Sequence, residues 1–123
     1  MTLKFIIVCL FQNGEFQVYD KKAENAYVRD GVLYVKPTLT LDINGGNYEY
    51  LYNGYLKLDG CTGSVCERQA NYPNILQPAY SARLRTAGSF SFRYGRVQVR
   101  AQMPAGDWTW PGTHLAFCIR AMN

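Results

Sequence analysis

The sequence reads Ser81-Ala82-Arg83-Leu84-Arg85-Thr86, and a few residues later Phe92-Arg93-Tyr94-Gly95-Arg96-Val97-Gln98-Val99-Arg100-Ala101. In both stretches polar and apolar side chains alternate, so that one kind points to each side of an extended chain. A period of two residues is the pattern of a half-buried β-strand. The two stretches therefore predict strands, and they place the decisive part of the fold in an antiparallel sheet.

The same pattern extends towards the amino terminus. Residues 15–19 alternate, and Arg29-Asp30-Gly31 lies between two apolar runs as the turn of a hairpin. Tyr48, Tyr50 and Tyr52 fall on one face of a further predicted strand, after a turn at 44–47. Residues 67–79 contain Asn, Gln and two prolines and predict a surface loop. No segment has a sustained period of 3.6, so the sequence predicts an all-β protein.

Composition limits the size and the class of the protein. The 123 residues suffice for one core but are short for a large β-sandwich, and 48% hydrophobic with 18% charged residues argues against disorder. The net charge of +4 is compatible with an anionic partner, but the basic residues are scattered. Only Arg83, Arg85, Arg93, Arg96 and Arg100 cluster, and they alternate with apolar residues. We therefore expect no nucleic-acid partner.

The four cysteines divide into an informative pair and two others. Cys61 and Cys66 lie in a short segment that also contains Gly60 and Gly63, and this spacing favours a disulfide. A zinc site needs more Cys or His ligands than this chain offers, since His114 is its single histidine. We expect no metal and no cofactor. Cys9 and Cys118 do not indicate a role.

Residues 1–12 have two open interpretations. The run from Phe5 to Phe11 is apolar and follows Lys4, as in a short signal sequence, but it lacks a small-residue cleavage site. A buried strand is the other interpretation. No run approaches the roughly 20 apolar residues that span a bilayer, so we expect no membrane association and a secreted, extracellular protein.

Several separated motifs resemble a known family. They are Asn13-Gly14-Glu15-Phe16-Gln17-Val18-Tyr19, the hairpin from Asn25 to Pro37, the loop from Cys61 to Arg68, and the two stretches quoted first. Together they are similar to glycoside hydrolase family 16, and within it most similar to the invertebrate β-1,3-glucan-binding proteins, also called Gram-negative-bacteria-binding proteins, and to laminarinases. The resemblance covers residues 13–111 and ends before residues 112–123, which form a divergent tail.

The resemblance implies a fold and a ligand. The fold is a concanavalin-like jelly-roll β-sandwich of antiparallel sheets, here only in part because the chain is truncated relative to the family. Its concave face binds an extended β-glucan polysaccharide, which implies pattern recognition in innate immunity. By this resemblance the carbohydrate-binding residues are Asn13, Arg85, Trp108 and Trp110. The alternatives are purely structural roles: a turn at Asn13, an ion pair of Arg85 and core packing of Trp110.

Two departures from the family pattern concern chemistry. Gln98 stands where the family usually has an acid. After Trp110-Pro111 the family continues to a Glu-x-Asp-x-x-Glu strand, whose two carboxylates cleave the glycosidic bond, and no such strand occurs here. The nine acids of the chain include no two that lie two residues apart. We therefore predict no catalytic residues and a catalytically incompetent binding protein. The alternative function is a fragment of an endo-β-1,3-glucanase that hydrolyses O-glycosyl bonds.

The predicted half-sandwich also implies a physical consequence. Unpaired strand edges and an uncovered apolar sheet face attract other copies of the same surface. We therefore expect the isolated chain to self-associate through open sheet edges.

Overall fold

The computed structural model describes residues 6–8, 15–86, 89–107, 109 and 111–112. The chain divides into two compact units, Met1–Ser91 and Phe92–Asn123, and all the strands and helices assigned to the described residues lie in the first. The strands are β1 (Ile6–Val8), β2 (Gln17–Tyr19), β3 (Ala26–Arg29), β4 (Val32–Val35), β5 (Thr38–Leu39), β6 (Tyr55–Lys57), β7 (Glu67–Gln69), β8 (Ala79–Ser81) and β9 (Arg83–Arg85); the helices are α1 (Thr40–Ile43) and α2 (Glu49–Asn53).

The described strands form four small sheets. Three of these sheets have two strands each, namely β1 with β9, β3 with β4, and β6 with β7, and the fourth has three strands in the order β2-β8-β5. Every pair is antiparallel except β2 with β8, which is parallel. The all-β class with antiparallel sheets is thereby confirmed. The jelly-roll topology and the boundaries at 13–111 and 112–123 stay predictions.

The β3–β4 hairpin has the turn that the sequence predicts. Asp30 and Gly31 link the strands, with φ angles of +50° and +77°. Positive φ at both central residues is the requirement of a type I′ turn, whose twist matches that of the strands it joins. Asn25 then fixes the base of the hairpin, because its side-chain Nδ2 donates to the carbonyl oxygen of Lys36 (2.7 Å) and to Thr38 Oγ1 (2.9 Å). The predicted hairpin is confirmed.

One apolar core lies within the first unit. Leu76 and Val18 are fully buried, and Tyr80 is 3% exposed. Leu41, Tyr50 and Cys61 pack around this centre as partly buried neighbours. Burying one such aliphatic side chain contributes roughly 1.5–3 kcal/mol, so this cluster is the main source of cohesion in the unit. Its members are Val18, Leu51, Leu56, Leu58, Ala70, Leu76 and Tyr80.

Polar contacts connect α1 to the segment that precedes β8. Thr40 is fully buried, and its hydroxyl donates to the carbonyl oxygen of Gln77 at 2.7 Å. The backbone N–H of Thr40 donates to the carbonyl oxygen of Pro78 at 2.9 Å. Buried backbone groups need such partners, because an unpaired carbonyl costs about 1–3 kcal/mol. The segment around Gln77 is therefore fixed by two hydrogen bonds from Thr40 as well as by its own burial.

The strand predicted from Tyr48, Tyr50 and Tyr52 is wrong, because these residues lie in and beside α2. The Asn47 side chain accepts a hydrogen bond from the Glu49 N–H at 3.0 Å, and Asn53 Nδ2 donates to Glu49 Oε2 at 2.7 Å across one helical turn. Helical geometry also directs Leu51 into the core. These local bonds and one buried leucine outweigh the alternation of tyrosines.

The surface loop predicted over residues 67–79 is also wrong in part. Its beginning forms β7, and β8 starts at Ala79. Ala70, Leu76 and Gln77 are buried, and the Leu76 N–H donates to the carbonyl oxygen of Leu51 at 2.9 Å. Two prolines mark turns correctly but do not indicate whether the chain between them crosses a surface or a core.

Residues 90–100 do not form the strands that their alternation predicts. None of the described residues from 89 to 107 is assigned to a strand, and every residue from 91 to 107 is exposed. A strand gains its stability from a hydrogen-bonded partner and a covered face. Neither is provided to residues 91–107 by the part of the chain that the structure describes.

The amino-terminal segment is described only at β1, which runs antiparallel to β9. The two interpretations of residues 1–12 therefore stay open. No helix within the described residues is long and apolar enough to cross a membrane.

Candidate functional site

Of the four residues predicted to bind carbohydrate, the structure describes Arg85. It lies at the end of β9, opposite Ile6 in the register with β1, and its side chain is exposed. Among the described residues, none forms a hydrogen bond or ion pair with its guanidinium. Asn13, Trp108 and Trp110 lie outside the described residues, and their role stays a prediction.

An aromatic surface lies on the β3–β4 hairpin. Tyr27 and Tyr34 face each other across the strands, with ring centroids 5.0 Å apart and planes inclined by 11°. The guanidinium of Arg29 lies 5.4 Å from the Tyr27 ring centroid and 5.7 Å from that of Tyr34. Cation–π contact and stacking hold all three groups in one arrangement. Tyr34 is 40% exposed, so part of this surface is open to a ligand.

A cavity of about 160 Å³ opens between the start of β2 and the chain that leads into β8. Two charged side chains and one amide line it, namely Glu15, Arg68 and Gln77. Gln77 is 4% exposed, and its Oε1 accepts no hydrogen bond from any described residue. Phe16 lies at the cavity and is 78% exposed. The apolar remainder of the wall comes from Ile75, Leu76 and Pro78.

Three tyrosine hydroxyls have altered acidity, and none lines this cavity. Burial raises the pKa of Tyr80, and the neighbouring Tyr50 and Asp20 raise it further. The ammonium of Lys22 lies 4.3 Å from the Tyr80 ring centroid. Burial also raises the pKa of Tyr50, and a 2.5 Å hydrogen bond to Glu67 raises that of Tyr55. The Tyr50 hydroxyl donates to the carbonyl oxygen of Tyr55 at 3.1 Å.

Three glutamates accept hydrogen bonds from neighbouring side chains. Glu67 accepts from the Tyr55 hydroxyl, Glu49 from Asn53, and Glu15 from Gln17 Nε2 at 3.0 Å. The prediction that the chain has no catalytic residues remains a prediction. The predicted disulfide between Cys61 and Cys66 is confirmed, with 5.5 Å between the two Cα atoms.

No pattern in the sequence predicts the cavity. Its residues come from positions 15–16, 68 and 75–78, and only the fold brings them together. One signal was available, since Phe16 is a large aromatic beside two polar neighbours in an alternating strand. Such an aromatic residue can pack in the core or face a ligand, and the two-residue period of the sequence does not distinguish these two positions.

Sequence comparison shows that the chain is similar to proteins named for binding β-1,3-glucan or Gram-negative bacteria. It is 45% identical over 109 residues to the β-1,3-glucan-binding protein of Penaeus monodon, an alignment that covers 80% of this chain and 29% of that protein. β-1,3-glucan-binding protein 1 of Galleria mellonella is 42% identical over 72% of the chain and 18% of the relative. Gram-negative bacteria-binding protein 2 of Drosophila melanogaster is 32% identical over 79% and 21%.

The chain thus spans less than a third of the length of these curated relatives. No family model and no solved structure matches it.

Proposed function

We propose that this chain binds β-1,3-glucan in innate immune recognition of microbial surfaces, and that it is related to glycoside hydrolase family 16 but does not cleave the polysaccharide. The observation that carries this proposal is the 45% identity, over 109 residues, to a protein named for β-1,3-glucan binding. The motifs from Asn13 to Ala101 support the wider family relationship, because they occur in the family's order.

The chemistry of the first unit supports a saccharide ligand. Sugar rings have an apolar C–H face that stacks on aromatic side chains and a rim of hydroxyls that hydrogen-bond charged and amide groups. Exposed Arg85 and the Tyr27–Tyr34–Arg29 surface supply both kinds of group. Asn13, Trp108 and Trp110 complete the proposed set of sugar-contacting residues.

A sedimentation assay tests the proposal directly. The purified chain is mixed with curdlan, an insoluble β-1,3-glucan, and with cellulose as the β-1,4-linked control. We expect the chain to sediment with curdlan and to remain in solution with cellulose. Failure to sediment with curdlan at millimolar concentrations of glucose units would contradict the proposal.

A pair of arginine variants tests the predicted role of Arg85. Arg85→Ala removes an exposed guanidinium on β9, and we expect a loss of about fivefold to tenfold in glucan affinity, as for a charge-assisted hydrogen bond. Arg100→Ala is the matched control, because Arg100 is also exposed and is not among the residues predicted to bind carbohydrate. Equal affinity of both variants would refute the assignment of Arg85.

The absence of cleavage has its own test. Release of reducing sugars from laminarin by the purified chain would favour the alternative function, a fragment of an endo-β-1,3-glucanase. Because the chain lacks the Glu-x-Asp-x-x-Glu strand after Trp110-Pro111, we expect no release above a blank.

We also propose that the protein acts outside the cell. The Cys61–Cys66 disulfide supports this location, because disulfides persist in oxidising compartments. Detection of the chain in culture medium of expressing insect cells, with a cytosolic marker absent, is the expected result.

Self-association through the β3–β4 hairpin is a further part of the proposal. Val28, Val32 and Val35 are 69%, 52% and 49% exposed, and no additional strand among the described residues pairs with either hairpin edge. Open edges with exposed valines favour pairing with another copy. We expect light scattering after size exclusion to give a mass above 14.0 kDa that falls on dilution.

A further inference from the structure

We propose that the cavity between Glu15 and Pro78 is a binding site for a single neutral sugar unit of the glucan. This inference rests on the proposed function, and it adds a site that includes none of the residues predicted to contact carbohydrate. The cavity has a volume of about 160 Å³. That volume lies below the roughly 300–1,000 Å³ of clefts for drug-sized ligands. A single ring fits this scale better than an extended chain.

Two polar groups of the cavity, on Arg68 and Gln77, have no partner among the described residues, whereas Glu15 accepts a hydrogen bond from Gln17 Nε2. Arg68 is half-buried, and no described residue forms a hydrogen bond or ion pair with its guanidinium. Gln77 Oε1 is buried and has no donor among the described residues. One group therefore needs an acceptor and the other a donor, since unpaired buried groups are costly. A sugar hydroxyl is both a donor and an acceptor, and vicinal hydroxyls satisfy both groups together.

Charge in the cavity favours an uncharged ligand. Glu15 and Arg68 carry opposite charges and both line the wall. An anionic ligand would meet the Glu15 carboxylate, and a cationic one would meet Arg68. A neutral pyranose avoids both repulsions, while the carboxylate and the guanidinium remain available to its hydroxyls.

The apolar walls suit the face of a pyranose ring. Ile75, Leu76 and Pro78 form an aliphatic side, and Phe16 exposes 78% of its surface at the cavity. A phenylalanine ring in water has no partner for its face, and stacking on the C–H face of a sugar removes apolar area from both surfaces. The exposed ring of Phe16, together with the polar groups of Arg68 and Gln77 that have no described partner, distinguishes this cavity from an ordinary surface depression.

The experiment uses laminaritriose, a soluble β-1,3-linked trisaccharide, as the probe. Affinity is measured by calorimetry for the wild-type chain and for Phe16→Ala, Arg68→Met and Tyr72→Ala. We expect Phe16→Ala to lose about fivefold to tenfold in affinity, from stacking, and Arg68→Met at least fivefold, from hydrogen bonding. Tyr72 is 86% exposed and does not line the cavity, so Tyr72→Ala is expected to match the wild type.

A second measurement locates the sugar without any substitution. In ¹H–¹⁵N spectra of the wild-type chain, we expect laminaritriose to shift the amide signals of Phe16 and Ile75 and the side-chain amide of Gln77. If the wild type sediments with curdlan while these signals stay fixed and both cavity variants bind normally, the cavity inference is overturned and glucan binding stands. If the wild type binds neither curdlan nor laminaritriose, both conclusions are overturned.

Discussion

Residues 49–82 and residues 91–107 have similar shares of large apolar side chains but opposite environments. The first stretch supplies Leu51, Leu56, Leu58, Leu76 and Tyr80 to the core, whereas Phe92, Val97 and Val99 in the second are 47%, 46% and 58% exposed. The difference lies in the contacts available to each stretch. Strand β8 has neighbours on both sides, β2 and β5, while no described residue of 91–107 belongs to a strand. Alternation makes a sheet possible, and a partner makes it stable.

The largest expected effect comes from a core deletion that contrasts the two stretches. Leu76→Ala removes a fully buried side chain, and we expect the free energy of unfolding to fall by about 2–4 kcal/mol. Val97→Ala removes a side chain that is 46% exposed, and we expect a change within about 0.5 kcal/mol. Urea denaturation followed by tyrosine fluorescence measures both. Equal effects would mean that residues 91–107 are packed as firmly as the core.

Loss of the disulfide is the next effect in size. The bond closes a loop of six residues from Cys61 to Cys66, and the loop-entropy relation predicts a loss of about 2 kcal/mol for the double variant Cys61→Ser with Cys66→Ser. Because Cys61 packs against the core cluster, the loss falls on the first unit. Denaturation with and without dithiothreitol gives the control: reductant should destabilise the wild type and leave the double variant unchanged.

A buried hydroxyl and an exposed one sharpen the comparison further. Thr40 donates to the Gln77 carbonyl at 2.7 Å in the core, and Thr109 donates to the Gly106 carbonyl at 2.9 Å at the surface. Thr40→Val keeps the side-chain shape and leaves a buried carbonyl unpaired, so we expect a loss of about 1.5 kcal/mol. Thr109→Val leaves a carbonyl that water can reach, and its expected effect is close to zero. A larger loss from Thr109→Val would contradict the exposed position of that turn.

The smallest effect is a pH dependence in the alkaline range. Burial raises the pKa of Tyr80 above its ordinary value of 10.0. Above pH 10 the phenol of the unfolded chain releases its proton while that of the folded chain keeps it. The contribution of Tyr80 to the free energy of unfolding is therefore fully present below pH 10 and falls as the pH rises towards the pKa of the folded state. The slope contributed by one such group is at most about 1.4 kcal/mol per pH unit. Tyr80→Phe should make the stability curve above pH 10 shallower, and an unchanged curve would refute the burial of this hydroxyl.

The features that the sequence predicted well depend on local geometry. Asp30-Gly31 demands a turn of one type wherever it occurs between two apolar runs, so the hairpin follows from a few residues. Cys61 and Cys66 are close enough in the chain that pairing needs no knowledge of the rest of the fold. The all-β class follows from many alternating segments together.

The features that the sequence predicted wrongly or did not predict depend on residues that are distant in the chain. Whether Tyr50 lies in a strand or a helix was decided by Leu51 reaching the core and by the bond between Glu49 and Asn53. The burial of Leu76 and Gln77 involves contacts with Leu51 of α2 and Thr40 of α1, which are distant in the chain. The cavity brings Phe16 together with Arg68 and Gln77, which are more than 50 residues away in the sequence. A local sequence pattern does not extend over that separation. Resemblance supplied Arg85, but it gave no indication of the cavity.

The parallel pairing of β2 with β8 has a consequence for the order of folding. Gln17 pairs with Ala79, whereas Ala26 pairs with Val35 within one short hairpin. Closing a long loop costs more conformational entropy than closing a turn, so the hairpin is expected to form early and the β2–β8 contact late. Phe16 immediately precedes β2 and is therefore expected to reach the cavity after the hairpin has formed. A chain halted before that step would hold the β3–β4 hairpin and lack this pocket.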